Sequence, residues 1–342
     1  MKVVFRVDGE PSIGLGHMMR CLALAQGLKA KGHSLVFMIS LTSKQFCFAK
    51  LAESAEIVTL PTMPKEHEPP WIMQQLKQLQ ADWLIIDGYE FGVKYRKELR
   101  SSRVNLALFD DNNNSGPLDV DMVINGAQNA EALDYQATAE TAFLAIGEPY
   151  QVLRQEFFKV DKDNWQNRDS LTLMFGGSDP ANLTILVLQL LAQSSAKMPI
   201  TVITGAAYTQ LPELNKVIED STLHVTHLHD CQNMAEVMVH TKLAVSAAGG
   251  SQFELVACAT PSLLVVVADN QKLASRASES QGWCVVMDSQ AADEKQIVSR
   301  CLALFQDTEK LRLMHQKALQ QLITNGALSI TKVLEQLSDK QA

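Results

Sequence analysis

Short runs rich in Val, Ile and Leu recur along the whole chain, each followed by a helix-length stretch, and no other feature restricts the possible folds as strongly. "VVFRV" leads into a helix from about Gly16 to Lys31, and "HSLVFMIS" into "SKQFCFAKLAES". "EIVTL" passes through a Pro-rich turn into "PWIMQQLKQLQ", and "DWLIIDG", "VKYRKELRSS", "VNLALFDD" and "DMVINGA" follow. The apolar runs lack the polar alternation of a half-exposed strand, so they suit strands buried on both faces. Strands of that kind alternating with helices imply parallel sheets joined by crossover helices. The pattern gives way between 145 and 170 to the polar, aromatic "GEPYQVLRQEFFKVDKDNWQNRDS", a natural domain boundary. It restarts with "LTLMFGGSD", "ITVITG", "LHVTHLH", "LAVSAAGG", "SLLVVVAD" and "WCVVMD", and ends in a helical stretch from about 292 to 340. The expected architecture is α/β: two Rossmann-like doubly wound domains facing a cleft, residues 1–150 and 151–342, with the final helix packing back on the first. In such sheets ligands bind at the carboxyl ends of the strands, and here the cleft is the expected place.

Bulk properties exclude several classes. The 342 residues suffice for two domains of about 150 each. The net charge is −8 and no Lys/Arg block stands out, which argues against a nucleic-acid surface. The longest apolar run, near "PSLLVVVAD", is too short to span a membrane. "MKVVFRVD" lacks the basic-then-apolar layout of a signal peptide. The six cysteines (21, 47, 231, 258, 284 and 301) form no CxxC pair and read as buried reduced thiols of a cytoplasmic protein. A monomer is expected.

Several turns carry chemistry. "IGLGH" follows the first strand, and its glycines Gly14 and Gly16 allow close backbone approach to a ligand. It is neither the dinucleotide fingerprint, since Met19 stands where a third glycine belongs, nor a P-loop. His17 at this turn is either structural or a neutral imidazole that accepts a proton from water near pH 7. "FGGSDP" (175–180) is a glycine turn in which Ser178 or Asp179 caps the next helix. "SAAGGSQFE" offers Ser251 and Glu254 at capping-box spacing. Alternatively, its small residues hold a diphosphate while Glu254 accepts hydrogen bonds from two ribose hydroxyls. Asn270 and Gln271 in "VADNQ" are placed to lie beside the phosphates or the sugar. Asp87 and Tyr89 in "IIDGYE", and Asp110 and Asp111 in "LFDDNNN", are turn residues or, for the aspartate pair, part of a divalent-metal site. No second carboxylate cluster completes a metal site, and no HExxH or GxSxG motif is present.

Taken in order, "FRVDGEPSIGLGHMMRCLALAQGL", "IIDGY", "LFDD", "YQVLRQEF", "FGGSDP", "AVSAAGGSQFELVACATPSLLVV" and "NQ" resemble the hydrolase family of pseudaminic acid biosynthesis that acts on UDP-2,4-diacetamido-2,4,6-trideoxy-β-L-altropyranose. The resemblance covers nearly the whole chain, and "FR-D…IG-GH-MRC" is its most specific segment. The second half is similar, more loosely, to nucleotide-sugar glycosyltransferases such as the peptidoglycan N-acetylglucosaminyl transferase. The resemblance implies the glycosyltransferase B fold and hydrolysis of a UDP-sugar with inversion, without metal or other cofactor. It implies that His17 is the base that activates water, with Tyr89 near it. It also implies a substrate site of Arg6, Asp8, Gly14, Gly16, Gly176, Gly177, Ser178, Gly249, Gly250, Ser251, Glu254, Asn270 and Gln271. This chain has "RVDGEP" where "RAD" and small residues are expected, so the loop from Gly9 to Ser12 is expected to meet the sugar differently. Two other functions compete: a glycosyltransferase, which needs an acceptor site, and a nucleotide-sugar binder without activity. "FCFAKLAES" carries no Lys/Arg cluster, which argues against a membrane-bound acceptor.

Overall fold

The computed structural model describes residues 1–10, 15–289 and 293–339, and at 128 and 129 the backbone alone. These form two compact units. The first holds residues 1–10, 17–154 and 323–339; the second holds 155–322, with Leu15 and Gly16 grouped to it.

The first unit is built on strands β1 (Lys2–Val7), β2 (Ser34–Ile39), β3 (Glu56–Thr59), β4 (Trp83–Asp87), β5 (Asn105–Phe109), β6 (Met122–Asn125) and β7 (Phe143–Ile146). They lie in the order β3-β2-β1-β4-β5-β6-β7, and every neighbouring pair is parallel. Helices α1 (Gly16–Ala30), α2 (Leu41–Ala52), α3 (Glu68–Leu79), α4 (Val93–Leu99) and the short α5 (Tyr135–Thr138) connect them. The central strands explain their unbroken apolar runs: Val3, Val4, Phe5, Trp83 and Ile85 are wholly buried, covered on both sheet faces. β7 was not foreseen. It is four residues long, at the sheet edge, and Phe143 at its start is exposed, so its apolar signal is weak.

The second unit repeats the plan with β8 (Ser170–Met174), β9 (Ile200–Thr204), β10 (Val225–His229), β11 (Thr241–Ala247), β12 (Ser262–Val266) and β13 (Cys284–Asp288). Their order is β10-β9-β8-β11-β12-β13, again all parallel. Helices α6 (Leu183–Ala192), α7 (Leu211–Asp220), α8 (Met234–His240), α9 (Ser251–Ala257), α10 (Lys272–Ser280), α11 (Glu294–Gln306) and α12 (Thr308–Leu319) pack around it. The last helix, α13 (Gly326–Asp339), belongs to the first unit. There Trp83 donates its indole N–H to Ser338 Oγ at 2.8 Å, and Thr324 Oγ1 donates to the Glu148 carbonyl at 2.7 Å. Strand order reverses between β1 and β4 in one sheet and between β8 and β11 in the other, the positions where doubly wound sheets bind ligands.

Candidate active site

At the reversal point of the first sheet, α1 and the ends of β4 and β5 assemble one cluster. His17, the second residue of α1, sets its Nδ1 2.7 Å from Asp87 Oδ1 at the end of β4. A carboxylate only accepts, so Nδ1 carries the hydrogen and the neutral ring keeps its lone pair on Nε2. Arg20 lies three residues on, on the same helix face. It meets Asp87 through Nε at 2.6 Å and Nη2 at 2.7 Å, and Asp111 through Nη1 at 2.6 Å and Nη2 at 3.2 Å. Tyr89 donates its hydroxyl to Asp111 Oδ2 at 2.8 Å. Its ring packs edge-on against His17, centroids 4.8 Å apart. The structure thus brings together His17 and Tyr89, expected together, with Asp87 and Asp111, read as turn or metal residues.

Charge in this cluster follows from the packing. The side chain of Asp87 is wholly buried, which by itself would raise its pKa; Arg20 and His17 override that and hold it at about 2. Burial disfavours the imidazolium of His17, yet the adjoining Asp87 carboxylate more than compensates and raises its pKa above 6.5. Cys21 donates its thiol to Asp87 Oδ2 at 3.5 Å; burial and that carboxylate push the thiol far up, so it is no nucleophile. Asp110 is spent on its turn, accepting from Asn113 N at 2.6 Å and Tyr135 OH at 2.7 Å. Among the described residues no group of three or more His, Cys, Asp or Glu is arranged to hold a metal ion.

Arg6 and Asp8 stand in a separate network. Arg6, expected to touch substrate, is wholly buried: it donates to Asp8 at 2.6 Å and to Glu68 at 3.0 Å, and packs over the Phe91 ring. A guanidinium enclosed and paired in this way ties β1 to the start of α3. Asp8 also accepts from Ser40 N at 2.7 Å and Ser43 Oγ at 2.9 Å, tying β1 to the start of α2. Its carboxyl is buried, yet Arg6 keeps it far below the usual carboxylate range. Gly14 lies outside the described residues. Gly16 opens α1 with no heavy atom within 4 Å of where a Cβ would stand.

In the second unit the candidate loops sit at the ends of β8, β11 and β12. Gly176 has φ +90°, a conformation glycine adopts freely. Gly177 lies against Gly205 after β9, where a Cβ on Gly205 would come 2.6 Å from Gly177 Cα. Asp179 is the cap: its carboxylate accepts from Leu183 N at 3.1 Å and Thr184 N at 2.8 Å. The α6 N-terminus is therefore already occupied by a negative charge. The capping box at α9 does not form, because Gly250 is the N-cap and Ser251 the first helical residue, one position out of register. Gln252 holds this loop from below, donating to the Ala248 and Gly249 carbonyls at 2.8 and 3.2 Å. Among the described residues the amides of Gly249 and Gly250 make no hydrogen bond. Gln271 accepts from Val267 N at 2.9 Å and brings its Nε2 beside Gly249. Glu254 is half-buried, and Asn270 is exposed. Arg20 and Gly205 escaped the sequence reading. The i,i+3 spacing of His17 and Arg20 was the available signal for the first; nothing local marks the second.

Comparisons with known proteins bear on the fold. Residues 171–333 match the model of the glycosyltransferase family 28 C-terminal domain. The uncharacterized protein MJ1062 of Methanocaldococcus jannaschii is 28% identical over 281 residues, 79% of this chain and 56% of that protein, so the match spans about half the length of that relative. The UDP-2,4-diacetamido-2,4,6-trideoxy-beta-L-altropyranose hydrolase of Campylobacter jejuni is 27% identical over 254 residues, 72% of this chain and 85% of that protein. The crystal structure of Acinetobacter baumannii MurG superposes with a TM-score of 0.70 at 14% identity, over 98% of this chain and 99% of that one. The fold is that of glycosyltransferase B.

Proposed function

We propose that this chain, with its glycosyltransferase B fold, hydrolyses a UDP-linked diacetamido-trideoxy-hexose to free sugar and UDP. Water attacks the anomeric carbon, the C1–O bond breaks, and configuration inverts. The observation that carries this reading is the His17–Asp87 pair at 2.7 Å, which fixes Nδ1–H and leaves Nε2 as the proton acceptor. The Campylobacter relative bears the hydrolase name. UDP is a good leaving group, so the site has to supply an aligned water and donors for the diphosphate charge. Amides of the glycine loops at 176–178 and 249–251 supply the donors, Glu254 takes the ribose hydroxyls, and Asn270 and Gln271 stand beside them. Tyr89 packs against the base. No metal takes part in these steps.

A second reading, sugar transfer to an acceptor, draws on the family 28 match. One assay separates them: purified protein with candidate UDP-sugars and no acceptor. Release of UDP, with NMR detection of the inverted free sugar, is the expected result; release only after an acceptor is added overturns hydrolysis. In the same assay His17→Ala is expected to lower turnover by about 10²- to 10⁴-fold, the range of a lost general base, with UDP affinity unchanged. Full turnover in that variant removes His17 from the role.

A further inference from the structure

We propose that Arg20 is the positioning residue of this site, a single guanidinium that locks the imidazole of His17 and the hydroxyl of Tyr89 into one frame through Asp87 and Asp111. The proposal rests on the reading of His17 as the base, and it adds a residue that neither the sequence patterns nor the likenesses to known proteins assign.

The geometry is a double fork. One edge of the guanidinium, Nε and Nη2, grips both oxygens of Asp87 at 2.6 and 2.7 Å. The other, Nη1 and Nη2, grips both oxygens of Asp111 at 2.6 and 3.2 Å. The plane is backed by the Phe109 ring, 4.8 Å away. Each carboxylate then presents an oxygen to one candidate catalytic side chain: Asp87 Oδ1 to His17 Nδ1, and Asp111 Oδ2 to Tyr89 OH. Asp87 has no solvent-exposed side-chain surface, so among the described residues these partners and the Cys21 thiol offset its dehydration. A planar five-donor group can hold two carboxylates in fixed orientation at once; an ammonium cannot.

The arrangement also sets charge. Among the described residues, the charged and titratable groups facing His17 are Arg20 and Cys21 from α1, Asp87 from β4, and Tyr89 and Asp111 from the following loops. With neutral imidazole they sum to −1, from two carboxylates and one guanidinium. Removing the guanidinium leaves −2 and favours imidazolium; removing Asp87 leaves 0 and disfavours it.

The test is an NMR titration of His17 in the full chain with labelled histidine, beside the pH dependence of kcat/KM for UDP release. Arg20→Gln is expected to move the His17 titration and the acid limb upward by about one pH unit, the scale of a lost neighbouring charge. Asp87→Asn is expected to move both downward. Arg20→Lys keeps the charge and loses the forks, so its titration stays near wild type while kcat falls at least tenfold. Asp111→Asn, at a half-exposed side chain, is the second probe should Arg20→Gln fail to fold, and it is expected to shift His17 downward. An unmoved or downward His17 titration in Arg20→Gln, or an unmoved one in Asp111→Asn, overturns the proposal. So does wild-type kcat in Arg20→Lys, provided the acceptor-free assay and His17→Ala have upheld hydrolysis. The titration needs no substrate, so a failed frame and a failed hydrolase reading give separate signatures.

Discussion

His17 is a base whose own surroundings favour its protonated form. Burial works against the imidazolium, but Asp87 at 2.7 Å outweighs it and raises the pKa above 6.5. Activity needs the neutral ring, so kcat/KM is expected to rise with pH through an apparent pKa above 6.5, read from UDP release across pH 5 to 9; an acid limb below 6.5 contradicts the dyad. Stability runs the other way. A raised histidine stabilises the fold fully below its unfolded pKa and loses that contribution as pH climbs through the folded value, so the window of highest activity is not the window of highest stability. Asp87 has the opposite sign: held at about 2 against 3.8 unfolded, it contributes about 2 kcal/mol above the unfolded value, lost as pH falls toward 2. Urea midpoints measured between pH 2 and 7 are expected to show that acid loss in wild type and about 2 kcal/mol less of it in Asp87→Asn.

Among the elements, the loops after β8 and β9 depend on each other through backbone contact. An alanine methyl at Gly205 would lie 2.6 Å from Gly177 Cα and 2.7 Å from its carbonyl oxygen, and neither can swing aside. Overpacking of this kind costs about 1–3 kcal/mol. If the 176–178 loop takes the diphosphate, Gly205→Ala weakens UDP binding about tenfold, equivalent to roughly 1.4 kcal/mol. Calorimetric titration with UDP checks this, and the His17 NMR titration is expected to stay unchanged. A similar argument applies to Arg168, which is buried and donates to the carbonyls of Met238, Thr241 and Cys258, near the ends of α8 and α9. Arg168→Met keeps the volume and removes a donor from each of them; the Met238 carbonyl keeps Thr260 Oγ1 and Thr241 N, so the loss falls on the Thr241 and Cys258 carbonyls, at about 1–3 kcal/mol for a carbonyl left unpaired. A clear fall in thermal midpoint is expected, and an unchanged midpoint would show that the carbonyls find other donors.

At the scale of the whole molecule, the first unit is not continuous in sequence. α13 returns to it after the second unit, burying Ala327, Ile330, Val333 and Leu334, and Gly27 of α1 is so close that a Cβ there would meet Ala327 Cβ at 2.8 Å. Ending the chain at Leu322 is expected to destabilise the first unit by several kcal/mol, from the lost burial of four aliphatic side chains at about 1–3 kcal/mol each. Calorimetry is expected to show a lowered or absent transition for that unit while the other persists; two unaltered transitions would make α13 dispensable.

The sequence alone determined the two parallel sheets, the loaded turns at their carboxyl ends, a cap for α6 from Ser178 or Asp179, and the nearness of His17 to Tyr89, the last through resemblance. Burial of a strand on both faces writes an unbroken apolar run into five consecutive residues, and a glycine turn is equally local. It did not determine that Arg6 is sealed inside, that α6 begins with a carboxylate on its free amides, or that Ser251 sits one place too late to cap. Those outcomes turn on which side chain meets which partner from a strand tens of residues away, as Arg20 meets Asp87 and Asp111. Hydrogen-bond geometry and the cost of burying an unpaired charge select among such partners only once the sheet order has placed them side by side.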